Sequence, residues 1–524
     1  MADRSTRGAR LPGRALLPLL IGLAFAPSSR AEIKVIPSVT VQETWTDNVN
    51  LASSGQARSE FITDIAPGIS VVENTPRLQM AGSYRFHEFA YTDRNAPNLH
   101  DSQSDLAATL RARVIEDLLF LDADASRNQQ AVSAFGPQVS DNPYTGNNRT
   151  NVSTWRVSPY LARRIGTTAN LLVRYTRDSV QTSVIGYGNT HGDTADVALS
   201  SVGDQRIGWN LQYDRQNLSD RLAGDSSSTT GSAGLSWRVR PNFSLTGMSG
   251  YDRYDYGTLG GRTQGRSWNV GYTYTPSTRT SLTMSFGRHY FGKSRAMRAM
   301  HRSRHTVWNL SYDESVTTSR QQYLLPSTVD TAALLDGLFM ASFPDPVLRR
   351  QAVEAYLQAT GLPSSLPNTV NYLSNRYMLQ HQFMASVAIT GARSTVLLSA
   401  NDTRRNALSL QQTDSQLLGS TLSNLNDNTH IRGLVASYSY RLSSRTDAIA
   451  LADISRSESL DTGIRQNNHG LRLSLRHQFQ RKLQGSLELR HLQGSTGGGF
   501  AGFSGYGGQS YTENAISAIL TSTF

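Results

Sequence analysis

The most constraining feature of this sequence is residues 233–254, where apolar and polar side chains alternate. The first half reads AGLSWRV, with a bulky or apolar residue at every second position. A period of two is that of a β-strand with one apolar face. Residues 240–242 (RPN) then form a compact turn, because proline fixes φ and asparagine tolerates turn conformations. A second alternating run begins at Phe243, so the stretch predicts a β-hairpin.

The same alternation recurs along the whole chain. Apolar sets spaced by two are Trp209, Leu211 and Tyr213; Trp268, Val270, Tyr272 and Tyr274; Trp308, Leu310 and Tyr312; and Leu471, Leu473 and Leu475. The opposite faces carry glycine, serine, asparagine and arginine. One hairpin would also fit a soluble all-β array, which stays the alternative. Repetition in ~10-residue alternating segments predicts an all-β, transmembrane antiparallel β-barrel of about 20–22 strands, with lipid outside and water inside.

The N-terminus reads as a secretory signal peptide. Four arginines precede the apolar run ALLPLLIGLAFA, and small residues follow up to Ala31. The run is shorter than the ~20 residues of a spanning helix. We therefore predict a signal peptide over residues 1–31 and an outer-membrane barrel over residues 32–524, in the cell outer membrane of a Gram-negative bacterium. Because strand-like sequence starts at Glu32, we expect no plug domain before the barrel, which disfavours a TonB-dependent transporter.

Composition agrees with a barrel wall. The chain contains no cysteine, so the sheet and not disulfides must stabilise it. The hydrophobic content of 38% suits a wall with one apolar face. The formal net charge of +11 falls to +7 when the signal peptide, with five arginines and Asp3, is removed. The remaining arginines are dispersed, which disfavours a nucleic-acid partner and favours a lumen or loops that tolerate anionic material.

Short and long connections alternate, as in outer-membrane barrels. Short turns are predicted at residues 74–77, 114–117, 164–167, 202–205, 240–242, 276–279, 391–393, 442–445 and 480–484. Long polar loops are predicted at residues 128–151, 179–194, 217–228, 287–302, 404–428 and 493–510. We expect the short set to face the periplasm and the long set the cell exterior.

Residues 327–366 lose the period of two and predict a helical insertion. Asp345 stands at an N-cap, Pro346 at the first helical position, and Gly361 with Pro363 ends the element. Because the strand parity on either side is ambiguous, a lumen-facing or periplasmic position is favoured over a spacer. The last strand ends in Phe524, and a terminal aromatic resembles the signal that the barrel-assembly machinery recognises.

No residue set predicts catalysis, a cofactor or a metal site. His289, His301 and His305 fall near one predicted loop, but no cysteine or carboxylate joins them at ligand spacing. An outer-membrane hydrolase would need a serine or aspartate within hydrogen-bonding reach of a histidine such as His289 at the outer rim. The tyrosines of the Tyr-Asp-Arg steps at 213–215 and 251–253 are interpreted as an aromatic girdle, with sugar stacking as the alternative.

Three stretches together resemble the PEP-CTERM system-associated outer-membrane protein family. They are residues 37–51 (PSVTVQETWTDNVNL), residues 308–322 (WNLSYDESVTTSRQQ), and the region with FPDP at 343–346, Gly361 to Pro363 and YLSNR at 372–376. The resemblance implies an uncharacterised β-barrel encoded beside exosortase and exopolysaccharide genes. It carries no site residues over.

The function expected from this resemblance is non-enzymatic exopolysaccharide export or PEP-CTERM/exosortase surface assembly. Expected partners are outer-membrane lipid, the barrel-assembly machinery through Phe524, and polysaccharide or export-complex proteins. A general or sugar-selective porin and an outer-membrane hydrolase are the alternatives.

Overall fold

The computed structural model describes residues 33–93, 99–137, 143–146, 148–187, 189–203, 205–222, 224–256, 262–324, 335, 353, 372–408, 414–418, 422–498 and 510–524. These form 22 β-strands and the short helices α1 (Ser319–Leu324) and α2 (Ser415–Leu418). The predicted signal peptide, residues 1–31, lies outside the described residues.

The strands are β1 (Lys34–Thr46), β2 (Glu60–Asn74), β3 (Leu78–Tyr91), β4 (Ser102–Ile115), β5 (Leu119–Ala131), β6 (Arg149–Ile165), β7 (Ala169–Thr182), β8 (Thr190–Ser201), β9 (Ile207–Asp220), β10 (Ser226–Arg240), β11 (Phe243–Asp255), β12 (Arg262–Ser277), β13 (Thr280–His289), β14 (Gly292–Arg302), β15 (Thr306–Thr317), β16 (Met378–Thr390), β17 (Ser394–Ala407), β18 (Thr429–Ser443), β19 (Thr446–Ser459), β20 (Arg465–Gln480), β21 (Leu483–Gly497) and β22 (Ser510–Thr523).

One sheet contains all 22 strands, and it closes on itself. Each strand pairs antiparallel with the next strand in the chain, as β1 does with β2 and β21 with β22. The first and last strands also pair, from Ser38 opposite Thr523 to Thr46 opposite Ala515. The prediction of a closed antiparallel barrel of about 20–22 strands is confirmed.

The two faces of the wall differ as the alternating pattern predicts. Apolar side chains point outward, and Leu235 is 64% exposed, Trp308 52% and Leu473 44%. Exposed apolar surface costs about 25 cal/mol per Å² in water, so a continuous apolar belt requires lipid around it. Inward positions carry charge, for example Arg156 with Asp124 at 2.6 Å. This is the architecture of an outer-membrane β-barrel.

Connection length separates the two ends of the barrel. The predicted turn 240–242 joins β10 to β11, and every connection from an even to an odd strand is short. The connections from odd to even strands include all the long ones, and both ends of the strand series lie at the short-turn end. Short turns face the periplasm in barrels of this type, so the long connections form the outer mouth.

The long loop predicted at residues 287–302 is wrong. Strand β13 continues to His289 and β14 begins at Gly292, so only Tyr290 and Phe291 form the turn. Arg288 pairs across the hairpin with Lys293. The stretch resembles a loop in sequence because Arg288, Lys293 and Arg295 add charge to the outward face of both strands beside the turn.

The predicted helical insertion, residues 327–366, belongs to the β15–β16 connection and lies outside the described residues except for Leu335 and Val353. Both of these are helical and buried. β15 ends and β16 begins at the long-loop end of the barrel. Leu324 and Leu373, on either side of the insertion, pack in one cluster with Val180 of the inner wall. The lumen-facing and periplasmic alternatives for the insertion itself stay predictions. Within the described ranges, no helix has the length and apolarity needed to cross a membrane.

Candidate functional site: the barrel mouth

The outer end of the barrel is crossed by connections that meet in a buried apolar core. We call this set the mouth core, and its members are Ala134, Phe135, Tyr372, Leu422, Leu425, Ile431 and Ile464. Ile431 belongs to β18, and the others come from the β5–β6, β15–β16, β17–β18 and β19–β20 connections. Connections that leave the wall at separate strands are therefore packed together inside the opening.

Tyr372 is at the centre of the mouth core and is fully buried. Its hydroxyl lies 2.8 Å from Thr429 Oγ1 and 3.2 Å from the carbonyl oxygen of Asn426. The guanidinium carbon of Arg405 lies 5.0 Å from the ring centroid, and Arg405 Nε donates to Gln380 at 2.9 Å. One side chain thus links the β15–β16 connection to β17 and to the start of β18.

Buried ion pairs fasten the mouth to the inner wall. Arg320 of α1 pairs with Asp178 of β7. A Cβ at Gly192 on β8 would collide with this guanidinium, so glycine is needed there for close approach. On the other side, Arg490 of β21 binds Glu513 of β22 at 2.9 Å, and their side chains are 3% and 0% exposed.

A third ion pair lies within the mouth itself. Arg376 Nε is 2.6 Å from Asp427 Oδ1. Burial raises the pKa of Asp427 to about 7; Arg376 opposes this shift, whereas Asp414 and Asp461 add to it. Burial also raises the pKa of Asp414, although that carboxylate accepts hydrogen bonds from Ser374 Oγ at 2.7 Å and Asn375 N at 2.8 Å. Both carboxyls of the mouth therefore hold a proton more readily than an exposed aspartate does.

We expect the mouth core to be more stable at about pH 5 than at about pH 8. A carboxyl whose pKa is about 3.9 unfolded and higher when folded retains its proton preferentially in the folded state, so stability is lost as the pH rises toward 7. The rate of limited proteolysis of the β17–β18 connection at the two pH values measures this difference in stability. Asp427→Asn should remove most of the difference, and Asp117→Asn at the short-turn end should preserve it. Faster cleavage of the wild type at the lower pH would contradict the prediction.

Beside the mouth core lies a cleft lined by tyrosines, which we call the tyrosine cleft. Tyr254, Tyr256 and Tyr377 line it together with Phe291, Tyr290 packs against the tyrosine rings, and the volume of the cleft is about 410 Å³. The ring centroids of Tyr254 and Tyr290 are 4.3 Å apart, and those of Tyr256 and Tyr377 are 4.5 Å apart. The hydroxyls of Tyr256 and Tyr290 hydrogen-bond to each other. The rings are therefore held in place by one another.

Polar groups complete the cleft. Asp214, Gln216 and Gln321 line it with serines of β10 and β15, and Glu314 borders it. The volume lies in the ~300–1,000 Å³ range of ligand clefts, which combine apolar surface with a few oriented polar groups. Carboxylate, amide and hydroxyl groups next to aromatic faces suit a ligand that presents both hydroxyls and C–H surfaces.

The three histidines do not form a cluster. His289 is at the mouth, whereas His301 and His305 are at the short-turn end, separated by most of β14, about 30 Å at ~3.3 Å per residue. His289 Nδ1 lies 2.9 Å from Asp252 Oδ2, as the hydrolase alternative requires. However, Ser267 Oγ donates to Asp252 at 3.1 Å, so the aspartate separates the serine from the histidine. A histidine activates a serine only by accepting its proton directly.

No group of three or more potential metal-ligating side chains occurs in the part of the chain that the structure describes. The tyrosines of the cleft were missed by the sequence analysis. Their signal was available, because Tyr254 and Tyr256 have the opposite parity to the outward Tyr251. Strand parity thus distinguishes girdle tyrosines from lumen tyrosines.

Comparison with solved structures finds a siderophore receptor and an iron transporter among the similar folds. The siderophore receptor PirA from Pseudomonas aeruginosa is 9% identical, with a TM-score of 0.43, over 95% of this chain and 82% of that one. The FrpB iron transporter from Neisseria meningitidis (F3-3 variant) is 8% identical, with a TM-score of 0.48, over 93% and 81%. No family model and no curated protein matches the chain. The likeness concerns the fold alone.

Proposed function

We propose that this barrel serves exopolysaccharide export or PEP-CTERM/exosortase surface assembly, without a catalytic step of its own. The observation that carries the proposal is the tyrosine cleft, which lies beside a mouth core packed from several connections. Tyrosine combines a flat apolar face with a hydroxyl. The C–H faces of a sugar chain can stack on the ring, and the sugar hydroxyls can hydrogen-bond to the tyrosine hydroxyl. A narrow cleft with aromatic walls suits an extended polymer better than it suits bulk solute flow.

The residues that carry the family resemblance support the proposal that the function resides at the barrel mouth. Ser319 and Ser374 come from two of the resembling stretches, and Ser374 N donates to Ser319 Oγ at 2.9 Å. From the same two stretches, Arg320 and Arg376 form buried ion pairs with Asp178 and Asp427. The stretches thus meet where a polymer would pass.

The terminal residue bears on the proposed assembly partner. Phe524 N donates to the carbonyl oxygen of Pro37 at 2.9 Å, and its side chain is 65% exposed. The ring is therefore accessible after the backbone has joined β1. We retain the proposal that the barrel-assembly machinery recognises Phe524.

Gene deletion with complementation tests the proposed function. We expect deletion to abolish secreted polymer or surface material, and the wild-type gene to restore it. A Tyr254→Ala/Tyr377→Ala variant should restore less than about half, because two of the aromatic rings that line the cleft are lost. The matched control, Tyr213→Ala/Tyr251→Ala, removes outward tyrosines and should restore normal secretion. Unchanged polymer yield and intact surface display in the deletion strain would refute the proposal.

A general or sugar-selective porin is the second candidate. The ring of 22 strands favours it, because barrels of 16–18 strands already leave an aqueous channel. The packed mouth core argues for a more restricted passage. Planar-bilayer recordings distinguish the two, since a steady open conductance of the wild-type barrel would favour the porin.

A further inference from the structure

The barrel wall is low at one position of its outer rim. β13 and β14 have 10 and 11 residues, fewer than any other described strand. β12 pairs with β13 only up to Trp268, so residues 262–267 rise above it and pair with β11 alone. β15 pairs with β14 only up to Asp313 and continues to Thr317 beside β16. Among the described strands, none fills the space between these two edges, which we call the notch.

The notch is large enough for part of a lipid headgroup. Three interstrand spacings of about 4.8 Å separate β12 from β15, which gives a width of about 14 Å. On the β12 side, the six residues without a β13 partner span about 20 Å of strand at ~3.3 Å each. The hairpin turn of Tyr290 and Phe291 forms its floor, and their rings are 5.3 Å apart. Because Phe291 also lines the tyrosine cleft, the floor of the notch borders that cleft.

The outer wall below the notch is basic. Trp268 and Phe286 point outward, with 47% and 45% exposure, and they fix the parity of their strands. The same outward face carries Arg266, Arg288, Lys293 and Arg295. Arg288 lies opposite both Trp268 and Lys293, and Arg295 lies opposite Phe286. These cations are therefore adjacent on neighbouring strands.

Three of these cations lack acidic partners within the described part of the wall, where no carboxylate oxygen lies within 4.0 Å of Arg266, Arg288 or Lys293. Glu314, which follows on β15, accepts a hydrogen bond from Tyr312 at 2.6 Å and lies 3.4 Å from His381. Tyr251, opposite Arg266, and Trp268 place the cluster at the level of the outer aromatic girdle. The cluster therefore lies at the height of the outer-leaflet headgroups.

We propose that the notch binds a phosphorylated glycolipid of the outer leaflet. Arg266, Arg288, Lys293 and Arg295 hold its phosphates from outside, because guanidinium and ammonium groups form short charge-assisted hydrogen bonds with phosphate. The sugar headgroup enters the notch above Tyr290 and Phe291, toward the tyrosine cleft. A zwitterionic phospholipid has no net charge to balance the cluster and no sugar headgroup to occupy the polar opening above it.

Native mass spectrometry of the full-length barrel in mild detergent tests this proposal with purified lipopolysaccharide as the probe. We expect one bound glycolipid on the wild type, and at least about tenfold weaker binding by Arg266→Gln/Arg288→Gln/Lys293→Gln, since three phosphate donors are lost. The charge-matched control, Arg163→Gln/Arg240→Gln/Arg279→Gln at the short-turn end, should bind as the wild type does. Arg266→Lys/Arg288→Lys/Lys293→Arg should keep most of the binding.

The outcomes that overturn the proposal are distinct. Equal binding by the triple glutamine variant would show that the cluster is not the site. Equal binding of dephosphorylated lipopolysaccharide, or preferential binding of phosphatidylethanolamine, would show that phosphate on a glycolipid is not recognised. Heat-modifiable migration on gels confirms that each variant is a folded barrel before its binding is compared.

Discussion

Replacing Glu513 with alanine is expected to destabilise the outer end of the barrel seam by about 3–5 kcal/mol, the cost of removing one partner from a buried ion pair. Glu513 accepts hydrogen bonds from Arg490 Nη2 at 2.9 Å and from Thr46 Oγ1 at 2.8 Å. Arg490 in turn donates to the hydroxyl of Tyr144 at 3.0 Å. The substitution therefore leaves a buried guanidinium without its carboxylate, and loosens β1, β22 and the β5–β6 connection together.

The temperature at which the barrel loses its heat-modifiable gel migration measures the effect on the seam. Protease accessibility of the β5–β6 connection measures the release of Tyr144. The control is Glu43→Ala, an outward and exposed position on β1 that should change stability by no more than about 0.5 kcal/mol. Equal stability of the two variants would show that the buried pair does not hold the seam.

Replacing Tyr372 with alanine is expected to open the mouth while the wall stays folded. Removing a fully buried aromatic side chain costs about 3–5 kcal/mol, which corresponds to roughly two to four orders of magnitude in the equilibrium between packed and released connections. The loss also leaves Thr429 without its hydroxyl partner and Arg405 without the ring it covers. The strands keep their ladders, since Tyr372 lies outside them.

Single-channel recordings in planar bilayers measure the opening. We expect rare or low conductance for the wild type, and larger, longer openings for Tyr372→Ala. Tyr438→Ala serves as the control, because this tyrosine is outward and 45% exposed, and it should leave the conductance unchanged. If the wild type already shows a steady open conductance that Tyr372→Ala does not increase, the mouth core does not restrict the passage.

Strand alternation predicted the wall well because each side chain in a strand points to one of only two environments, lipid or lumen. The outward positions of Leu235, Trp237 and Trp268 are those that the sequence assigned to the apolar face. The prediction failed at residues 287–302, where outward basic residues near the headgroups resemble a polar loop. Charged side chains at the membrane surface thus make the end of a strand look like a loop in the sequence.

The mouth could not be predicted in the same way. Phe135, Tyr372 and Leu425 come from three connections, and nothing in their local sequence shows that they meet. The ion pair of Arg320 with Asp178 joins residues 142 positions apart. The histidines illustrate the opposite error: His289 and His301 are close in sequence, but His289 ends β13 at the mouth and His301 lies at the short-turn end of β14.

The sequence by itself determined the class of the fold, the apolar outer face and the polar inner face, because a period of two is a local property of each strand. The tertiary structure decided which connections close the mouth, where the tyrosines converge and where the wall is low. Those features depend on closure of the ring, which brings distant strands to one rim, and on how far each strand extends beyond its neighbours. Side-chain periodicity within a strand shows neither which strands meet at the rim nor how far each one extends.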